Sequence, residues 1–94
     1  MLKHVVMWKF KPGTEETAKM FLDGLRSLYG KIDSLKSMEI GESEFTDCDC
    51  DAVLIAEFED AEGLKEYKNH PLHLEVSALC KSILESRHSV DYFC

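Results

Sequence analysis

The chain has 94 residues, 45% hydrophobic and 31% charged, an ordinary globular composition that disfavours disorder. Its 11 Lys and Arg against 18 Asp and Glu leave a net charge of −7, which disfavours nucleic acid and anionic membrane surfaces, since cationic side chains hold both. The length suits one domain, residues 1–94, with a small core, and association commonly adds buried surface at this size.

Residues 2–11 read as a strand. Leu2, His4, Val6, Trp8 and Phe10 point one way, and Lys3, Val5, Met7 and Lys9 the other. Both faces carry apolar side chains, so the strand expects a cover on each side. Pro12-Gly13 ends it in a turn. Residues 14–29 read as a helix, with Thr14 as N-cap, Thr17 as an alternative start, and Glu15 and Glu16 in the first turn. Ala18, Phe21, Leu22, Leu25, Leu28 and Tyr29 form one apolar stripe, and Gly30 stops the helix.

Residues 35–42 are a weaker strand pattern, 43–50 an acidic loop, and 51–59 the clearest strand, so 35–59 is expected to form a β-hairpin. Residues 60–69 read as a short helix capped by Asp60, with Leu64 and Tyr67 inward. Pro71 breaks it and is suited to starting the next helix. Leu72, Val76, Leu79, Ile83 and Leu84 supply that second stripe, and residues 87–93 close the chain as a strand.

The order strand, helix, strand, strand, interrupted helix, strand predicts an α+β fold: a ferredoxin-like, four-stranded antiparallel sheet with helices on one face. The other sheet face is then open, yet it carries apolar residues. A second copy is the simplest cover, so a homodimer with sheets packed face to face is expected.

No apolar run has the length of a membrane span, and Lys9 and Lys11 interrupt any secretory hydrophobic region. The expected location is cytoplasmic, with the four cysteines as reduced thiols. Their spacing matches no structural zinc site. Asp47, Asp49 and Asp51 alternate as in an EF-hand, but Ala52 and Phe58 stand where that loop needs glycine and glutamate. The stretch reads as a solvated hairpin loop, and neither metal nor cofactor is expected.

Several pieces together resemble the stress-responsive dimeric A/B barrel (Dabb) domain family over essentially the whole chain. They are Lys3-His4, Trp8-Lys9-Phe10-Lys11, Gly41, Tyr67-x-x-His70-Pro71-x-His73 and Val90-Asp91-Tyr92. The resemblance implies two ferredoxin-like subunits whose sheets form a dimeric α/β barrel. Many family members are stress-associated proteins of unassigned activity. One plant member is a polyketide cyclase acting by intramolecular aldol chemistry, and its functional histidine, tyrosine and second histidine fall on His4, Tyr67 and His73. At Ala52 and Leu25 this chain lacks that enzyme's further histidine and tyrosine, so the same substrate is not implied.

His73 is the foremost catalytic candidate, with Tyr67 beside it. Pro71 at the first helical position puts His73 in the first turn, where the helix dipole disfavours imidazolium. An ordinary histidine titrates near ~6.5, so a downward shift leaves a neutral base at pH 7. That suits proton abstraction beside a carbonyl, with Tyr67 polarising it. His4, His70, Tyr67 and His73 are the candidate ligand-binding residues for a small molecule. Catalysis, ligand binding without turnover, and a non-catalytic dimeric scaffold with capping histidines all stay open. Ser77 has no triad partner and reads as an ordinary helix serine.

Overall fold

A computed structural model describes residues 1–94. The elements are β1 (Leu2–Phe10), α1 (Glu15–Arg26), β2 (Ser37–Glu42), β3 (Ala52–Phe58), α2 (Ala61–Asn69), α3 (Pro71–Cys80) and β4 (Leu84–Phe93). The four strands form one antiparallel sheet in the order β2-β3-β1-β4. This is the expected α+β ferredoxin-like arrangement, with the chain's first and third strands central.

The alternation in β1 decides which face packs inward. Leu2, His4, Val6 and Trp8 are buried, with Ala52, Leu54, Ala56 and Phe58 of β3 beside them in register. Phe21, Leu22 and Leu25 of α1 and Leu64 and Tyr67 of α2 complete that layer. Trp8 meets Phe21 edge-on with ring centroids 5.2 Å apart. Burying each such aromatic or aliphatic side chain contributes about 1.5–3 kcal/mol, so this one face carries the fold. No helix is long and apolar enough to cross a membrane.

The opposite sheet face has no layer over it. Its rows follow from the register: Ile55, Val5 and Val90 lie side by side, as do Val53, Met7 and His88. Val90 is 55% exposed and Met7 42%.

Three local expectations are corrected. Thr14 precedes α1, but its hydroxyl donates to the Lys11 carbonyl at 2.6 Å and does not cap the helix. Helix α1 ends at Arg26; the chain then turns, which buries Leu28, Ile32 and Leu35 but leaves Tyr29 exposed. Helix α3 stops at Cys80, so Ile83 lies in a turn and Leu84 already belongs to β4, paired with Phe10. A helical apolar spacing that runs on into a strand looks continuous in sequence, because both elements bury the same core.

Candidate functional site

The site is built where β1, β4 and the α2–α3 corner meet. Asp60 caps α2 by accepting from the Gly63 amide at 2.9 Å. Tyr67 sits in the last turn of that helix, fully buried, with its ring 5.2 Å from Phe58. His70 is extended and serves both helices: it is the C-cap of α2, and its Nδ1 accepts from the Leu72 amide at 3.1 Å as the N-cap of α3. Pro71 occupies the first helical position, where its missing amide hydrogen is not needed. The corner turns the chain so that the rings of Tyr67 and His73 lie 4.5 Å apart.

His4 reaches the same place from the sheet. It is buried on the helix-facing side of β1, with its ring 6.4 Å from Tyr67. Opposite it in the β1–β4 ladder is Asp91, and His4 Nδ1 bonds Asp91 Oδ1 at 2.5 Å. A carboxylate only accepts, so Nδ1 carries the proton and Nε2 is left with its lone pair. The same reasoning applies to His73, whose Nδ1 donates to the Lys68 carbonyl at 3.2 Å. Both imidazoles are thus held by one nitrogen with the other free.

These groups line one cavity of about 250 Å³, with Val6, Trp8, Phe21, Leu25 and Leu54 as its apolar floor. Ser77, Cys80, Lys81, Leu84 and Arg87 complete the wall. An apolar cavity of about 150 Å³ already admits benzene, so this one suits a single-ring or short-chain molecule. The structure brings His4, Tyr67 and His73 together as expected from the sequence. It does not bring His70 with them: that residue is absent from the cavity wall, and its ring nitrogen is used as a cap. Ser77 does reach the wall, but its hydroxyl donates to the Leu74 carbonyl at 3.1 Å.

The electrostatics favour neutral groups. Burial lowers the proton affinity of His73 most, and the nearby His4, Arg87 and Lys68 lower it further against the Lys68 carbonyl bond. Burial likewise lowers His4, partly offset by Asp91. Burial, rather than the helix dipole alone, therefore keeps His73 neutral. Burial raises the Tyr67 phenol far above its usual range, so it remains an O–H donor. That hydroxyl is buried without any hydrogen-bond partner. An orphaned buried hydroxyl costs about 1–3 kcal/mol, and such groups in native proteins usually answer to a ligand or a water.

A larger groove of about 690 Å³ lies between α1 and the acidic loop, but it is a different kind of surface. Arg26 there is paired with Asp23 at 2.8 Å and Glu42 at 3.1 Å. Asp51 accepts from the Phe10 amide at 2.8 Å, tying the loop to β1. No group of three or more His, Cys, Asp or Glu side chains converges as a metal site.

Residues 2–94 match the family described as the Stress responsive A/B Barrel Domain. The chain belongs to that family. A stress-response A/B barrel domain-containing protein of Arabidopsis thaliana is 34% identical, covering 96% of this chain and 83% of that one. Among solved structures, a dimeric protein of unknown function and ferredoxin-like fold from Bacteroides fragilis is 26% identical. It superimposes with a TM-score of 0.90 over 99% of this A/B barrel chain and 95% of its own. A hydroxynitrile lyase from Passiflora edulis has the same fold at 13% identity, with a TM-score of 0.85 over 99% and 92% of the two chains.

Two residues of this A/B barrel domain, one bonded to a wall histidine and one on the wall itself, escape a reading of single motifs. Asp91 belongs to the Val90-Asp91-Tyr92 motif, but only the β1–β4 register shows that it faces His4. Arg87 stands opposite Trp8 in the same ladder and arrives at the cavity for the same reason.

Proposed function

We propose that this protein is a homodimer in which each chain holds a small-molecule pocket for proton-transfer chemistry. His73 is the base and Tyr67 the hydrogen-bond donor to a carbonyl, with His4, fixed by Asp91, as the third polar wall. The reading rests chiefly on one observation: Tyr67, whose buried hydroxyl has no hydrogen-bond partner, lines a cavity together with two imidazoles whose proton affinity is lowered. In the reaction, His73 Nε2 takes a proton from the carbon beside the carbonyl. The electrons pass to the carbonyl oxygen, and the Tyr67 O–H stabilises the resulting enolate. A neutral base needs no prior deprotonation at pH 7, and the apolar floor keeps water from competing.

The homodimer is supported by the uncovered apolar sheet face and by the dimeric state of the Bacteroides fragilis protein. The lyase from Passiflora edulis supports only the capacity of the fold to house a reaction.

The test is deuterium incorporation at the α-carbon of acetophenone and acetylacetone in heavy water, followed by NMR. The wild-type protein is expected to accelerate exchange above buffer. His73→Ala should abolish the acceleration, and Tyr67→Phe should lower it by roughly a hundredfold, the usual scale of a positioned acid–base group. Both variants should stay folded by circular dichroism. No acceleration with either ketone, and no thermal stabilisation by them, would leave a non-catalytic dimeric scaffold as the reading.

A further inference from the structure

The cavity has an uneven wall. Its floor is apolar and its histidines are neutral, but Arg87 and Lys81 stand on the wall as exposed residues. Neither forms an ion pair: the salt bridges of the chain involve His4–Asp91, Lys19–Asp23, Arg26–Asp23 and Arg26–Glu42. In a protein of net charge −7, two cations at one opening without acidic partners are out of keeping with the rest of the surface. Glu85, the acid nearest to Arg87 in sequence, lines the other groove. Asp91, four residues further along β4, is taken by His4. Arg87 is also close enough to act on the proton affinity of His4, His73 and Cys80, all inside the cavity.

We propose that the pocket selects a carboxylate: a small organic acid whose carboxylate rests on Arg87, with Lys81 assisting, and whose apolar body enters toward Trp8 and Leu54. The proposal builds on the pocket reading above and names the class of its ligand. A guanidinium presents a planar fork of donors that matches a carboxylate in two parallel hydrogen bonds. The cavity volume of about 250 Å³ fits the body of a single-ring acid once the charged head stays at the mouth. Arg87 and Tyr67 would then hold the ligand at two points, the head by charge and the interior oxygen by the orphaned hydroxyl. The same arrangement rejects the corresponding amine, because both rim groups repel a cation.

The test compares benzoate and phenylacetate with their methyl esters, which keep the apolar body but lose the charge. Binding to the full-length protein is read from the imidazole resonances of His4 and His73 by NMR titration. The acids are expected to bind tighter than the esters, and more weakly as sodium chloride is raised. Arg87→Gln should weaken the acids by roughly tenfold to a hundredfold and leave the esters unchanged, while Arg87→Lys keeps part of the preference. An effect on folding would move acid and ester together, so the difference between them isolates the charge. Equal binding of acid and ester, unaltered by Arg87→Gln, would overturn the carboxylate assignment while sparing the pocket. If neither acid nor ester perturbs the histidines, the carboxylate assignment and the pocket beneath it both fall.

Discussion

His4 and Asp91 are cross-strand neighbours in the β1–β4 ladder, and their side chains meet as a hydrogen-bonded pair inside the helix-facing layer. The carboxylate fixes which imidazole nitrogen carries the proton, and so which one keeps its lone pair. Asp91→Asn keeps an acceptor but removes the charge. The proton affinity of His4 is expected to fall further, because Asp91 supplies the two influences that raise it. Asp91→Ala should also cost roughly 0.5–1.5 kcal/mol of stability, a charged hydrogen bond discounted for the solvent-facing side of Asp91. Histidine NMR titration and urea unfolding read the two effects separately.

The two depressed histidines make stability depend on pH. Unfolded, each titrates near its ordinary value of 6.5; folded, each binds its proton less readily. Below 6.5 the unfolded chain therefore takes up more protons than the native one, and stability falls with falling pH until the folded histidines protonate too. Above 6.5 the contribution is complete and flat. Urea midpoints measured between pH 7.5 and 5 should show this decline, and His73→Gln should make it shallower. Proton abstraction by His73 should fade through a midpoint below 6.5 as well. A stability profile that rises toward pH 5 contradicts the assignment of neutral imidazoles.

Ile55, Val5 and Val90 form an apolar row across the uncovered sheet face. If a second copy covers that row, Ile55→Lys places two facing charges in an apolar interface. Analytical ultracentrifugation of the wild type should give twice the chain mass of 10.7 kDa, and Ile55→Lys should give one chain. Circular dichroism of the variant should be nearly unchanged, since the helix-facing core is untouched. A wild-type protein that sediments as a single chain at micromolar concentration removes the homodimer.

Gly24 lies within α1, where it meets α3. A Cβ there would sit 3.0 Å from Val76 Cγ1 and 3.2 Å from its Cγ2. Alanine is favoured over glycine in a helix by about 1 kcal/mol. In the wild-type background, crowding against Val76 should cancel that gain or reverse it. With Val76→Ala, Gly24→Ala should recover a stabilisation of about 1 kcal/mol, a coupling that a double-mutant cycle in urea measures directly.

Much of this arrangement was legible from local chemistry. Pro71 announces the helix break, Asp60 the cap, and the two-sided apolar pattern of β1 the open sheet face. The resemblance to the A/B barrel family pointed to His4, Tyr67 and His73 from the sequence, and they do share a cavity. Sequence alone leaves His70 open between ligand wall and helix cap, and only the backbone geometry shows one of its nitrogens accepting from the Leu72 amide. Asp91 and Arg87 became visible only with the register of two strands at opposite ends of the chain. The end of α3 was hidden because Ile83 and Leu84 continue a helical spacing while belonging to a turn and a strand. Such features depend on long-range pairing, which no short window contains.

The separation of 87 residues between His4 and Asp91 has a consequence for the order of folding. A contact so distant in sequence forms late, because its loop entropy is spent before the contact returns anything. Helices α1 and α2 and the β2–β3 hairpin rest on nearer contacts and can form before β4 pairs with β1. Until that pairing the imidazole of His4 has no anchor, and the cavity lacks the wall that carries Arg87. Tyr67 and His73 can therefore be in place while the cavity is still incomplete, and it closes only when β4 docks beside β1.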